Sequence, residues 1–288
     1  MLSTTSPVSY LSPVTDERNK RLVVNGYAQG TKPSLFGPHL IHLALTRKLG
    51  KIWLWALPAD VSEFMQYGFR IEGSLFRGNY EEFAVSLAYY VSESRGHSHK
   101  LQAELDIIHN VRTVPLKRSE HFPPGIELKR LNESYAQQIS QILTRVFISY
   151  PSPVENPQYI RSLIQDGNIF AGAFLKNQLV SVAAAYPDPI LNRCEMTDCA
   201  TLEDYRGLSL SERLLWILEQ EVNNGSFIIY TLARAQSYGM NRVFHKLGYS
   251  YQGCLINNCH IAGSFEDMNI WVSSNSSVQL TTPRLVLP

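Results

Sequence analysis

Cysteine is scarce in this chain, with four residues in 288. They form two Cys-x4-Cys pairs, Cys194/Cys199 and Cys254/Cys259. Residues five apart on a strand point to opposite faces, so neither pair chelates readily, and reduced thiols in a cytoplasmic protein are expected. An excess of charge is also missing. Twenty-six Lys and Arg stand against 25 Asp and Glu, a formal net charge of +1, which leaves no electrostatic footprint for nucleic acid. No apolar run approaches the roughly 18 residues that a membrane span needs. His97-Ser98-His99 has no cysteine or acidic partner at ligand spacing, so no metal is expected.

What is present is 44% hydrophobic content, enough for two modest cores and one or two domains. The most informative run is Glu195-Met196-Thr197-Asp198-Cys199-Ala200-Thr201-Leu202, which leads through Tyr205-Arg206-Gly207-Leu208-Ser209 into Leu210–Val222. A strand-like segment breaks at a glycine turn and opens a helix. The first N–H groups of a helix have no internal partner and its dipole favours an anion, so this order cradles a phosphate. Leu210, Leu214, Leu218 and Val222 recur at helical spacing, and Asn223-Asn224-Gly225 reads as the stop. Ser226–Ala233 is a continuous apolar run of strand length, as expected for a strand covered on both faces. A helix over Asn241–Leu247, closed by Gly248, and a strand over Tyr249–Ile256 complete an alternating α/β pattern.

Arg206-Gly207-Leu208-Ser209-Leu210-Ser211 resembles the acetyl-CoA motif of the Gcn5-related N-acetyltransferase (GNAT) superfamily. Ala233-Arg234-Ala235, Gly239-Met240-Asn241 and Phe244–Tyr249 fit its later motif. The run from Gly253 through Asn257-Asn258 to Glu266-Asp267-Met268-Asn269-Ile270-Trp271 is similar to the beta-lysine N-acetyltransferase family. The resemblance is strong over roughly residues 168–273. It implies the acyl-CoA N-acyltransferase fold in the C-terminal half and acetyl-CoA as co-substrate. Cys199, Ala200, Thr201, Leu202, Arg206, Gly207, Leu208, Ser209, Leu210, Ser211 and Asn241 would line the cofactor. Two positions depart from the motif: Ser209 stands where the superfamily has glycine, and Ser211 where it has glycine or alanine. Ser209 with Glu212 forms an S-x-x-E capping box. Its hydroxyl either occupies a helix N–H that would face the pyrophosphate or donates to a phosphate oxygen.

Acetyl transfer needs a neutral amine to attack a thioester carbonyl. An alkylammonium has a reference pKa of about 10.4, so a carboxylate must help remove its proton. Glu195 and Asp198 are the candidates. Strand alternation puts them on opposite faces unless a bulge intervenes, and the superfamily's glutamate on this strand favours Glu195. Backbone N–H groups of Cys199–Leu202 would meet the oxyanion. Phe244 stands where the superfamily often has its tyrosine acid, which leaves Tyr238, Tyr249 and Tyr251 as substitutes, with Tyr238 placed among the catalytic residues. An acceptor such as beta-lysine needs a cation and an acceptor group in its pocket. Arg234 could fork onto its carboxylate, and Glu266 with Asn257, Asn258 or Asn269 could hold its second ammonium. Rival readings are a transferase for another small amine or amino acid, and a non-catalytic acetyl-CoA-binding module.

The first half echoes the second. Phe64–Gly73 runs parallel to Phe244–Gly253, and the helix-like Leu40–Leu49 precedes the strand Ile52–Leu57. This points to a smaller α/β N-terminal lobe that is a degenerate half of the same fold. The expected organisation is a flexible tail over 1–18, the N-terminal lobe over 19–92 and a linker over 93–125 with a helix near Lys100–His109. An acetyltransferase domain over 126–274, with a helix over Tyr135–Phe147, and a flexible tail over 275–288 follow. Met1–Pro13 has neither the basic start nor the apolar core of a signal peptide. The expected partner is a small-molecule amine, without nucleic acid or membrane, and a homodimer is compatible with the chain.

Overall fold

The computed structural model describes residues 12–28, 30–77, 81–117, 123–222 and 227–274. The expected tails over 1–11 and 275–288 and the helix stop at Asn223-Asn224-Gly225 lie outside the described residues. The N-terminal half contains β1 (Val14–Asp16), β2 (Arg21–Val24), α1 (Pro33–Thr46), β3 (Lys51–Ala56), α2 (Val61–Gln66), β4 (Arg70–Arg77) and β5 (Glu81–Tyr90). Helix α3 (Leu101–Arg112) follows. The C-terminal half contains β6 (Ile126–Leu131), α4 (Ala136–Val146), α5 (Pro157–Gln165), β7 (Ile169–Leu175), β8 (Gln178–Asp188) and β9 (Arg193–Thr201). It ends with α6 (Leu210–Val222), β10 (Ile228–Arg234), α7 (Tyr238–Lys246), β11 (Tyr249–Ile261) and β12 (Ser264–Ser273).

Among the described residues, twelve strands join one mixed sheet in the order β1-β2-β3-β5-β4-β11-β12-β10-β9-β8-β7-β6. The two halves repeat one pattern. In each, a parallel pair (β2/β3, β9/β10) brackets a helix, and a second helix leads into an antiparallel hairpin (β4/β5, β11/β12). Both hairpins shift register by one residue at matching places, between Ile71 and Gly73 and between Tyr251 and Gly253. The halves meet where β4 pairs with β11, Gly73 opposite Gly253. A Cβ on Gly253 would lie 2.2 Å from the Glu72 carbonyl oxygen, and one on Gly73 2.6 Å from that of Gln252. Only glycine lets the two backbones approach this closely.

One apolar core fills each half, and a third joins them. The joining core packs Trp53, Trp55 and Leu75 from the first half against Ile228, Tyr230, Met268 and Ile270 from the second. Helix α6 begins and ends where the leucine spacing places it, with Leu210, Leu214, Leu218 and Val222 buried. Helix α1 departs from expectation. It starts at Pro33, a favourable first-turn residue, and runs through Pro38. It stops at Thr46 because Lys48 turns left-handed (φ +54°) and the Leu49 N–H bonds back to Ala44 O at 2.9 Å.

Two expected boundaries need correction. Residues 14–16 of the expected first tail pair with β2 as a strand, and Asn19 is fully buried. The helix expected within the linker is α3, but its Ile108 and Val111 enter the C-terminal core, so this segment packs as part of that half. Of its histidines, His97 donates from Nδ1 to the Glu93 carbonyl oxygen at 2.8 Å, and His121 lies outside the described residues.

Candidate active site

Strands β9 and β10 pair in parallel over three positions only, Arg193/Ile228, Cys194/Ile229 and Glu195/Tyr230. Beyond them β9 stays with β8 and β10 with β12, so the sheet opens at Glu195. A bulge lies just past the opening. Register with β8 jumps from Ala184/Thr197 to Val182/Ala200, which leaves Asp198 and Cys199 opposite Ala183, with Asp198 left-handed (φ +50°). A bulge inserts one residue and re-aims a side chain. Here it brings Asp198 to the tyrosine that faces Glu195. The Tyr186 hydroxyl donates to Asp198 Oδ2 at 2.5 Å, and Tyr186 is the β8 residue opposite Glu195. The Tyr150 hydroxyl donates to Asp198 Oδ1 at 2.7 Å.

The two carboxyls differ in what surrounds them. Burial pushes Asp198 up, while the hydroxyls of Tyr186 and Tyr150 stabilise its charged form and oppose that shift. Burial, and then the charge of Asp198, push Glu195 up to about 7, against the pull of Arg193 and the Tyr230 hydroxyl. That hydroxyl lies 3.4 Å from Glu195 Oε2. Arg193 shares the strand face of Glu195, two residues away. Its Nε is 3.6 Å from Asp188 Oδ2 and its Nη2 donates to Asn25 O at 3.0 Å. Its guanidinium lies 5.6 Å from the Trp55 ring centroid, so the N-terminal half holds it. Tyr150, Tyr186, Tyr230 and Arg193 were not singled out from the sequence. Pairing across strands and loops gathers them from positions up to 80 residues apart, which no local spacing reveals.

Past the opening, a cleft of about 560 Å³ runs from the end of β9 to the start of α6 and along α7; Glu195 and Asp198 are not among its lining residues. Cys199, Thr201, Arg206, Gly207, Ser209, Leu210 and Ser211 line it, as do Arg234 and Tyr238. Gly207 (φ +80°) and Ser209 (φ +57°) both turn left-handed ahead of α6, so the serine at the motif glycine keeps the backbone shape that glycine favours. A hydroxyl chain secures this corner: Ser181 Oγ to Thr201 Oγ1 at 2.7 Å, then to Ser211 Oγ at 2.9 Å. Burial raises the Cys199 thiol, reinforced by Asp198, so it is not a thiolate nucleophile. Phe147, Met240, Arg242 and Lys246 also line the cleft and were missed. Lys246 donates to Glu212 at 2.5 Å.

Other expected site residues lie elsewhere. Ala200 and Leu202 are buried in the C-terminal core, and Leu208 is exposed outside the cleft. Asn241 is fully buried. Its Nδ2 donates to Arg234 O and Ser237 O, and its Oδ1 accepts from Asn269 Nδ2 and Trp271 Nε1 at 2.9 and 2.8 Å. That network ties α7 to β10 and β12 and also consumes Asn269, so both amides serve the fold. A second bulge in β11, between Leu255 and Cys259, turns the next pair away from the cleft. Asn257 Nδ2 donates to Arg95 O and His97 O, and Asn258 is fully buried. Arg234 and Glu266 do meet, as a two-point ion pair of 2.7 and 2.9 Å. Tyr249 packs on Phe244 and Tyr251 on Trp271, at centroid distances of 5.3 and 5.7 Å; of the three expected tyrosines Tyr238 lines the cleft, and Tyr205, not expected, lines it as well.

The model of the acetyltransferase (GNAT) family matches residues 136–249. The chain is 34% identical over 235 residues to a Methanococcus maripaludis protein named beta-lysine N(6)-acetyltransferase, an overlap of 81% of this chain and 85% of that one. It is 35% identical over 259 residues to N-acetyltransferase YodP of Bacillus subtilis, covering 89% and 93%. To a Methanosarcina mazei protein named beta-lysine N(6)-acetyltransferase it is 30% identical over 251 residues, covering 80% and 93%.

Proposed function

The chain belongs to the GNAT family of acetyl-CoA-dependent N-acetyltransferases, and on that premise we propose that it acetylates the side-chain amine of beta-lysine, with Glu195 as general base. The observation that carries the assignment is Glu195 itself. It sits where β9 and β10 part, and its carboxyl is poised at about 7, close to the working pH that general-base catalysis favours. Asp198 is held by two tyrosine hydroxyls that favour its charged form, and its charge beside Glu195 raises that carboxyl further.

The cleft suits a phosphate-bearing pantetheine thioester. It has the N-terminus of α6 at one end, Arg206, Arg242 and Lys246 along its lining, and the opened strand edges at the other end. Acetyl-CoA supplies the acetyl thioester there. Glu195 takes the proton from the acceptor ammonium, N–H groups of the Cys199–Thr201 segment meet the developing oxyanion while the Leu202 N–H stays bonded to Val180 O at 3.0 Å, and Tyr238 returns a proton to the departing thiolate. Negative charge from Glu195, Asp198 and Asp188 beside the rings of Tyr230 and Trp55 favours an acceptor with more than one ammonium. Arg234, held by buried Glu266 behind it, presents a cation to the cleft that the acceptor's carboxylate can meet. A role in compatible-solute synthesis follows if beta-lysine is the acceptor.

The test is free-thiol release from acetyl-CoA on a panel of beta-lysine, lysine, polyamines and other amino acids. Preferred turnover of beta-lysine supports the assignment, whereas a higher kcat/KM on another amine replaces the acceptor and leaves the chemistry intact. Binding of acetyl-CoA without release on any amine overturns catalysis.

A further inference from the structure

Helix α3, which joins the two halves, lays Glu104 against the β11–β12 hairpin on the sheet face opposite Glu195. The donor atoms of Glu104, Cys254 and Asp267 lie within 4.8 Å of one another there. Glu104 is 3% exposed and Asp267 2%. Among the described residues, both oxygens of Glu104 and Oδ2 of Asp267 are buried with no hydrogen-bond partner. Asp267 Oδ1 is already engaged, accepting the Asn257 N–H at 2.6 Å.

Two carboxylates this close and this dry repel, and each orphaned oxygen carries a desolvation cost. A shared proton would satisfy one oxygen on each carboxyl. With the Gln236 side chain also directed at Glu104, it would still leave the Cys254 thiol without a role. A divalent cation would engage one donor from each of the three residues, a Glu104 oxygen, an Asp267 oxygen and Cys254 Sγ. One thiolate among carboxylates is a donor set for zinc and its neighbours rather than for magnesium or calcium. We propose that Glu104, Cys254 and Asp267 form a zinc-class metal site that fastens α3 to the β11–β12 hairpin.

Two contacts give the site a consequence beyond stability. The Asp267 carbonyl accepts the Ala235 N–H at 2.9 Å, beside Arg234, and the next residue in the other direction is Glu266, its ion-pair partner. Metal at Asp267 would therefore hold the end of β10 and the Arg234–Glu266 pair in register. The sequence expectation of no metal came from local ligand spacing, and these three residues are separated by up to 163 positions.

The experiment uses the full-length protein, stripped with a chelator and then titrated with cobalt. The expected result is an intense near-ultraviolet thiolate-to-cobalt band, abolished by zinc addition, and a thermal midpoint raised by zinc. Cys254→Ser is expected to remove the band, and Glu104→Gln to weaken zinc binding by roughly tenfold or more. Cys254→Ser preserves volume and carries the test should Glu104→Gln fail to fold. Absence of both band and thermal shift in the wild-type protein overturns the site. So does a band that persists in Cys254→Ser, because the metal would then rest on another thiol.

Discussion

At the residue scale, the site turns on how one carboxyl is kept basic. Glu195 owes its elevated pKa first to burial and then to Asp198, and a base works only when deprotonated. Turnover is therefore expected to rise with pH through about 7 and to level off above it, in a kcat/KM profile measured with acetyl-CoA saturating. Glu195→Gln should lose that limb and about 10²–10⁴-fold in kcat; full turnover in this variant would remove the base assignment. Arg193 works in the opposite direction. Its charge favours ionised Glu195, so Arg193→Gln is expected to move the acidic limb to higher pH. A purely structural Arg193 would lower activity without moving the limb. Both carboxylates were legible in the sequence because they sit on one short strand next to the glycine turn. Their partners were not, because Tyr150, Tyr186 and Arg193 acquire their roles only through the bulge at Asp198 and the pairing of β8 with β9. Asn241 shows the converse: the motif placed it at the cofactor, yet its amide is spent holding α7 to β12.

At the element scale, periodic apolar spacing identified α6 and β10 because their burial follows one face or two without interruption. It failed for β11, which the sequence reading ended at Ile256 and which runs to Ile261. The residues past Leu255 are polar and bulged, so their strand character comes from pairing with β12 rather than from their own pattern. The same limit hid the seam. Gly73 and Gly253 were visible as echoes of each other, but their pairing across the junction was not. Because a Cβ on Gly253 would sit 2.2 Å from a backbone oxygen, the strands would have to separate to admit it. Gly253→Ala is expected to destabilise the protein by about 2–3 kcal/mol, read as a lower midpoint in urea. An unchanged midpoint would mean that the seam is looser than the backbone approach indicates.

At the scale of the whole molecule, the two halves are distinguishable in sequence and inseparable in packing. The joining core shares Trp53 and Trp55 with Ile228, Tyr230 and Ile270, and Arg193 beside the candidate base is held by Asn25 and Trp55. The continuous sheet adds β4 to β11. Removing the first half would expose one face of β10 and β12 and leave the outer edge of β11 unpaired, a template for aggregation. The N-terminal half thus contributes to the packing around Arg193 and Glu195 as well as repeating the element order of the second half. We therefore expect a single calorimetric unfolding transition for the full chain, with van't Hoff and calorimetric enthalpies in agreement. A chain begun at Ile126 is expected to aggregate or to lose turnover, even though it keeps every cleft-lining residue. Two separate transitions, or a soluble and fully active C-terminal half, would show instead that the site needs nothing from its N-terminal neighbour.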